Sequence, residues 1–283
     1  MSQVKKHRIR EYWSTDPLIE TPIFGTIFAR DRYDSLLRYL HFVNNEKTST
    51  SDLLSKLGSV LDDLKTKFNG AMYPYQNLVL DESLMLWKGR LSFKQYIPSK
   101  RSRFGIKLYM LYDCRTGFVL DFLVYTGLST STIRDNTIGV SGAIVMKMID
   151  KYLYKGHNLY VDNWYSSPAL FEVLHQKKTG ACGTVQVNRR GLPNFQEFNL
   201  NENEQVSFHT DILLALKWKD KKDVHMLSTI HGTDMTAARK VHYQTGRPIW
   251  KPISVQDYNE NRGLIDKSDM QISFSESLRK SLK

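Results

Sequence analysis

The sequence predicts an α/β chain whose mixed sheet is flanked by helices. Three observations predict it. Short apolar runs bounded by turn residues recur from residue 77 onward, in the order strand, strand, strand, helix, strand, helix, strand. The first 76 residues carry a helical apolar period instead. Finally, the composition, 41% hydrophobic and 12% aromatic, supports a packed core rather than disorder.

Taken in order, "DRYDSLLRYLHF" (31–42) places Tyr33, Leu36, Leu37 and Leu40 on one helix face. After the polar linker "NNEKTSTS", the stretch "SDLLSKLGSVLDDLKTKFNG" (51–70) repeats Leu53, Leu57, Val60, Leu61, Leu64 and Phe68. Asn69-Gly70 is a helix stop. "NLVLDESLMLW" (77–87) suits a buried strand, and "FGIKLYMLYDCRTGFVLDFLVYTG" (104–127) suits two strands joined by a turn at 113–117. "SGAIVMKMIDKYLYKGH" (141–157) predicts a helix with Gly156 near its end, and "NLYVD" (158–162) a fourth strand. "SPALFEVLHQKK" (167–178) predicts a helix capped by Ser167 with Pro168 at its first position. "ACGTVQV" (181–187) is the fifth strand. Residues 188–247 turn polar and then strand-like, in "VSFHTDILLALKW" and "DVHMLSTIH", and the last segment, from "DYNENRGLIDKSD", reads as a helix start.

Forty Lys+Arg against 29 Asp+Glu give a net charge of +11. That balance suits a polyanionic partner, and equally a basic protein without one. Cys114 and Cys182 form no CxxC pair, so no cysteine-rich zinc site is expected, and two free thiols in a reducing compartment are. The N-terminus lacks the apolar core of a signal peptide, and no apolar run reaches membrane-span length. "KKHRIR" (5–10) has the composition of a nuclear-import signal, as many short basic clusters do. No HExxH, Walker A or GxGxxG is present; His41 reads as a packed helix residue, while His225 and His231 flank a strand.

Four aspartates stand out by position. Asp81 lies inside the first apolar strand, Asp162 at the end of the fourth, and Asp266 and Asp269 three apart near the C-terminus, on one face if that segment is helical. Converging carboxylates repel unless a hard divalent cation joins them, and two such ions about 3.5–4 Å apart serve phosphodiester displacement. Each aspartate also has a plainer reading. Asp81 could face solvent at a strand edge, Asp162 could cap a turn, and Asp266 and Asp269 could belong to a solvated helix face. Ser167 and Pro168 already serve the next helix, which weakens the capping reading of Asp162.

The second signal is "KGRLSFKQYIPSKRSRFGIK" (88–107). It holds seven basic residues and no acid, Lys88, Arg90, Lys94, Lys100, Arg101, Arg103 and Lys107, interleaved with Phe93, Tyr96 and Phe104. Such a strip suits phosphate contacts with base stacking, and equally a solvated basic hairpin. Its start seven residues after Asp81 favours the first use.

At these residues the chain resembles the piggyBac transposase family. "YWSTDPL" with "RDRYDSLLRYLHFVNN" resembles the family's N-terminal helical region. "LVLDESLMLWKGRLSFKQYIPSKRSRFGIKLYMLYDCRTG", "LYVDNWYSSPAL" and "YNENRGLIDKSDM" resemble its three catalytic blocks in order, from about residue 12 to the end. The resemblance implies a ribonuclease H-like core of the DDE/DDD type, with Asp81, Asp162 and Asp266 as the triad and Asp269 as accessory acid. It implies Mg²⁺ or Mn²⁺ as cofactor, TTAA sites beside terminal inverted repeats in double-stranded DNA as substrate, and hydrolytic nicking, hairpin formation and strand transfer as chemistry. A nuclear location and a homodimer belong to the same expectation, and a membrane does not. The implied layout is a helical dimerisation and DNA-binding region at 1–76, the core at 77–187 and 248–270, a β-rich insertion at 188–247, and the start of a return to the helical domain at 271–283.

Two departures bear on this. Gly263-Leu264-Ile265-Asp266 stands where the family has two glycines before valine and aspartate, and the chain ends at Lys283, before the family's returning helical domain and its cysteine-rich zinc domain. The expectation is therefore a C-terminally truncated member, a fragment or a degenerate copy, with poor transposition. The competing reading is a domesticated transposase-derived DNA-binding protein without cleavage, and a third is a relic that folds poorly.

Overall fold

Leu78, Val79 and Leu80 are buried at successive positions of β1 (Asn77–Leu86), so both faces of this strand are covered. A strand of that kind sits inside a sheet with structure on each side. The computed structural model has this arrangement; it describes residues 4, 6–49, 52–87, 89–98, 103–127, 135–241 and 248–274, without the side chains of 47, 239–241 and 264–274. The chain divides into two compact units.

The first unit comprises Met1–Lys67, Leu84–Ile106 and Met270–Lys283. It holds α1 (Ile23–Ile27), α2 (Arg30–Tyr39) and α3 (Gly58–Ala71) up to Lys67. Tyr12 and Trp13 anchor the first helices: the Tyr12 ring meets Phe24 edge-on at 4.8 Å, and Trp13 Nε1 donates to the Phe28 carbonyl at 2.5 Å. The helix expected at 51–70 begins only at Gly58, because the Asp52 carboxylate accepts from the Leu54 N–H and holds the preceding residues in turns. A hairpin completes this unit, with β2 (Gln95–Tyr96) antiparallel to the start of β3 (Phe104–Asp113).

The second unit comprises Phe68–Ser83 and Lys107–Asp269. Its sheet adds β4 (Val119–Val124), β5 (Asn158–Val161), β6 (Gly180–Thr184), β7 (Gln205–His209), β8 (Leu214–Lys219) and β9 (Asp223–Ser228). The spatial order is β4-β3-β1-β5-β6-β9-β8-β7. β1, β5 and β6 run parallel, while β9, β8 and β7 continue the same sheet antiparallel beyond β6. The strand-like stretch at 206–218 is two strands, because Thr210 Oγ1 accepts from the Ile212 and Leu213 N–H groups and turns the chain.

Alternation along the parallel strands assigns each face. Leu78, Leu80, Leu159, Val161 and Ala181 join Ile144, Val145 and Met148 of α4 (Gly139–Ile149) and Leu170, Phe171 and Leu174 of α5 (Pro168–Gln176) in one buried cluster. The helix expected at 141–157 stops at Ile149, and a short 3-10 turn and positive φ at Tyr154 and Gly156 return the chain to β5. Its apolar period runs on through Tyr152 and Leu153, which are buried in the same cluster, so the pattern outlasts the helix. The α5 cap is as expected: Ser167 Oγ accepts from the Leu170 N–H at 3.3 Å, with Pro168 next. A separate antiparallel pair, β10 (Met235–Val241) and β11 (Pro248–Pro252), leads into α6 (Ile253–Phe274). Cys114 and Cys182 are both free and buried. No helix among the described residues is long and apolar enough to cross a membrane.

Candidate functional site

The register of the parallel strands puts Asp81 beside Asp162. Leu80 of β1 pairs with Val161 of β5, and Val161 with Gly183 of β6, so the next residues, Asp81, Asp162 and Thr184, lie at one level across three adjacent strands. Neighbouring strands are about 4.8 Å apart, and equal parity in a parallel register sends these three side chains to the same face. That level is the C-terminal end of β5 and β6, where open α/β sheets place their sites. Gly183 is needed here: a Cβ would collide with the Val161 carbonyl and lie 2.6 Å from Ser166 Oγ.

Helix α6 covers this face, crossing from β6 over β5 to β1. Cys182 Sγ meets the Ser254 carbonyl, Tyr160 Oη donates to Asp257, and Asn77 Nδ2 donates to Asn261 Oδ1 at 3.2 Å. The contacts at 254, 257 and 261 follow the helical period, and Arg262 extends the same face. The Arg262 guanidinium reaches both acids with one nitrogen, 3.6 Å from Asp162 Oδ2 and 3.9 Å from Asp81 Oδ2. Asp162 is fixed from below, its Oδ1 accepting from Thr184 Oγ1 at 3.0 Å and from the Asn163 N–H at 2.7 Å. Its main-chain carbonyl accepts from the Tyr165 and Ser166 N–H groups. The backbone of Asp162 therefore closes the turn, and its carboxylate is left to the site.

Two phenols are buried in the field of these acids. Burial first, then Glu82, Asp81 and Asp162 among others, pushes the Tyr165 hydroxyl well above its ordinary range, and it has no hydrogen-bond partner among the described residues. The Tyr258 hydroxyl is also pushed up, by burial most of all, with Arg262 opposing and Asp162 and Asp81 reinforcing. Hard carboxylate oxygens from Asp81 and Asp162 suit an oxygen-ligated divalent cation. The resting guanidinium marks where their joint field holds positive charge. Among the described residues no group of three or more His, Cys, Asp or Glu side chains could hold a metal ion.

Asp266 and Asp269 lie on α6, one and about two turns beyond Arg262, with side chains outside the described residues. Lys88, Lys100 and Arg101 of the basic strip also lie outside them. Arg90 and Arg103 are exposed, and Lys94 stands 5.5 Å over the Phe104 ring, which is itself exposed and packs 4.7 Å from the exposed Tyr96 ring. Lys107 has a different setting. It pairs with Glu82 at 2.8 Å and lies over the rings of Tyr109, Trp164 and Tyr125 at 4.9, 5.1 and 5.7 Å. Trp164, of the "DNW" turn, thus roofs Lys107, and Arg189 clamps the turn by donating to the Asn163 and Trp164 carbonyls at 3.1 and 2.6 Å.

Some residues of the site escape a reading of the sequence. Thr184 ends β6, and only the register reveals its level. Arg262 stands four residues before Asp266, so the helical spacing that joins Asp266 to Asp269 would have reached it. A Ser228–His231–Asp257 array forms too: Ser228 Oγ lies 2.8 Å from His231 Nδ1, and His231 Nε2 lies 3.0 Å from Asp257 Oδ2. Ser228 is buried, and Asp257 also accepts from Tyr160 at 2.5 Å and Asn261 at 3.0 Å. This is a brace between sheet and helix rather than a nucleophile's relay.

Comparison with known proteins shows the family and the fold. The model of the family described as Transposase IS4 matches residues 1–283. The human PiggyBac transposable element-derived protein 2 is 23% identical over 278 residues, covering 94% of this chain and 47% of that protein. A solved piggyBac transposase synaptic complex with hairpin DNA superimposes with a TM-score of 0.79 at 25% identity, over 98% of this chain and 58% of that one. The chain belongs to this transposase family and is a piggyBac-family protein. Its mixed sheet between helices is the ribonuclease H-like fold. Human PiggyBac transposable element-derived protein 3 gives the same picture, 23% identical over 277 residues and 94% of this chain. This piggyBac-family chain spans about half the length of those two human relatives.

Proposed function

We propose that the chain carries a DDD-type DNA transposase core that cuts and joins phosphodiesters at TTAA sites in double-stranded DNA with a divalent metal, Mg²⁺ or Mn²⁺. The observation that carries this reading is the in-register pair Asp81 and Asp162, two acids at one level on adjacent parallel strands, with the Arg262 guanidinium within 3.9 Å of both. Asp266 is the third carboxylate of the proposed set and Asp269 its accessory, both borne by the helix that crosses above the pair.

When bound, the metal supplies neutralisation of phosphate charge and an activated oxygen for in-line attack. The chain's own residues do the rest. Asp81 and Asp162 direct acceptor oxygens to one place, Thr184 fixes the rotation of Asp162, and Arg189 holds the turn behind it. Arg90, Lys94 and Arg103, with the exposed rings of Tyr96 and Phe104, suit a phosphate backbone and unpaired bases, and Lys88, Lys100, Arg101 and Lys107 complete the proposed strip. Hydrolytic nicking, hairpin formation and strand transfer are the proposed sequence. Support comes from the structural relative, a synaptic complex with hairpin DNA. The nucleus is the proposed location and a homodimer the proposed assembly. The proposed division keeps the core at 77–187 and 248–270, the insertion at 188–247, and helical regions at 1–76 and 271–283.

A second reading, DNA binding without cleavage, is favoured by one observation: Arg262 already places a positive charge against both carboxylates. Nicking of TTAA-flanked DNA in Mg²⁺ or Mn²⁺, compared with Asp162→Asn, separates the two. Cleavage lost in the variant supports the transposase core. Salt-sensitive binding with no cleavage by either chain refutes it and leaves the binding protein.

A further inference from the structure

We infer that Arg262 is a built-in counter-ion of the Asp81–Asp162 pair, one that holds the two carboxylates together without metal and gives way when a divalent cation enters; this rests on the metal reading proposed above. Two acids at one level on strands about 4.8 Å apart repel strongly. Their side chains are 16% and 29% exposed, so solvent screens them only in part. A single guanidinium nitrogen within 3.9 Å of one and 3.6 Å of the other brings positive charge to both. Arginine suits this because its rigid, permanently charged fork can face two carboxylates at once.

The same geometry lets the side chain leave. Arg262 is 40% exposed, so withdrawal needs no repacking of the core. One turn back on the helix, the Tyr258 ring lies 5.8 Å from the guanidinium. An incoming divalent cation competes for the same carboxylate oxygens with twice the charge. Wild-type affinity for metal is therefore lowered by the strength of the contacts that must be broken. Two partly exposed ion pairs set that penalty at about 2- to 30-fold in the dissociation constant.

The test is Mn²⁺ binding to the 283-residue chain, read by the loss of the free-ion EPR signal on titration, for wild type, Arg262→Met, Arg262→Lys and Asp162→Asn. Thermal unfolding of each is followed in EDTA and in Mn²⁺. The expected result is tighter Mn²⁺ binding by Arg262→Met, by about 2- to 30-fold, with a lower melting temperature in EDTA that Mn²⁺ restores. Arg262→Lys keeps the charge but not the fork; it is expected to tighten binding less, and it serves if the methionine variant does not fold. Mn²⁺ bound by Arg262→Met or Arg262→Lys no more tightly than by wild type overturns the counter-ion role while leaving the metal site standing. No binding by wild type or by either Arg262 variant removes the metal reading itself, and the inference with it. Asp162→Asn is expected to lose binding; unchanged affinity there also overturns both.

Discussion

Asp257 is the residue on which the placement of α6 depends most. Its carboxylate accepts from Tyr160 of β5, from Asn261 one turn along its own helix, and from His231 of the loop after β9. Replacing it by alanine leaves a phenol and an imidazole without their acceptor in a largely buried place, while the Asn261 amide keeps the main-chain carbonyl of residue 257. Each buried donor left unpaired costs about 1–3 kcal/mol. Asp257 is 30% exposed and water can reach part of the gap, so the low end applies to each of the two donors, and the sum is about 2–3 kcal/mol. That is a large fraction of the roughly 5–15 kcal/mol that holds a domain folded. Asp257→Asn keeps the shape and one acceptor oxygen, and should lose about half as much.

The pH dependence gives this prediction its sharpest form. Burial works against the Asp257 charge, but the hydrogen bonds from His231 and Tyr160 outweigh it and hold the carboxyl below its ordinary value. A carboxyl lowered by folding stabilises the folded state above the unfolded value, near pH 3.9, and that contribution disappears as pH falls through the folded value. Urea unfolding of wild type and Asp257→Asn should therefore show the full difference between pH 6 and pH 8, shrinking below about pH 4. Equal midpoints at pH 7, or a difference that widens on acidification, would refute the brace.

Two further predictions concern the site's supports and its partner. Thr184→Val removes the hydroxyl donor to Asp162; the chain should lose about 1 kcal/mol in urea unfolding, which Thr184→Ser should restore, since the acceptor is charged but partly exposed. Arg90→Ala and Arg103→Ala should weaken binding to duplex DNA evenly across sequences, each lowering the slope of log affinity against log salt by about 1; an unchanged slope for both would take them off the phosphate backbone.

How much of this was legible in the sequence follows from which forces are local. β1, β3, β4, β5, β6 and α5 could be read because each carries its own signal: a buried apolar run, a turn, or a Ser-Pro cap. The ends of helices were less legible. At 141–157 the apolar period served the core beyond the point where the backbone left the helix, and at 51–57 an aspartate's local hydrogen bonds displaced the first turns. The long-range pairings were not legible at all. Nothing near Ser228 or His231 announces Asp257, nearly thirty residues away, because that brace exists only once α6 lies across the sheet.

The candidate site falls between these cases. Asp81 and Asp162 were legible as acids in apolar strands, yet their convergence hangs on register alone. Asn77 must pair with Asn158 for Asp81 to stand beside Asp162, and a slip of one residue would send one acid into the apolar face packed on α4 and α5. The asparagines themselves guard that register. Asn158 Nδ2 donates to Asn77 Oδ1 at 3.2 Å, and Asn77 Nδ2 donates onward to Asn261 of α6. A slipped strand would lose this chain of amides as well as its apolar match. The polar row at the start of the strands thus fixes where the carboxylate row at their ends must fall, and ties both to the helix that carries Arg262, Asp266 and Asp269.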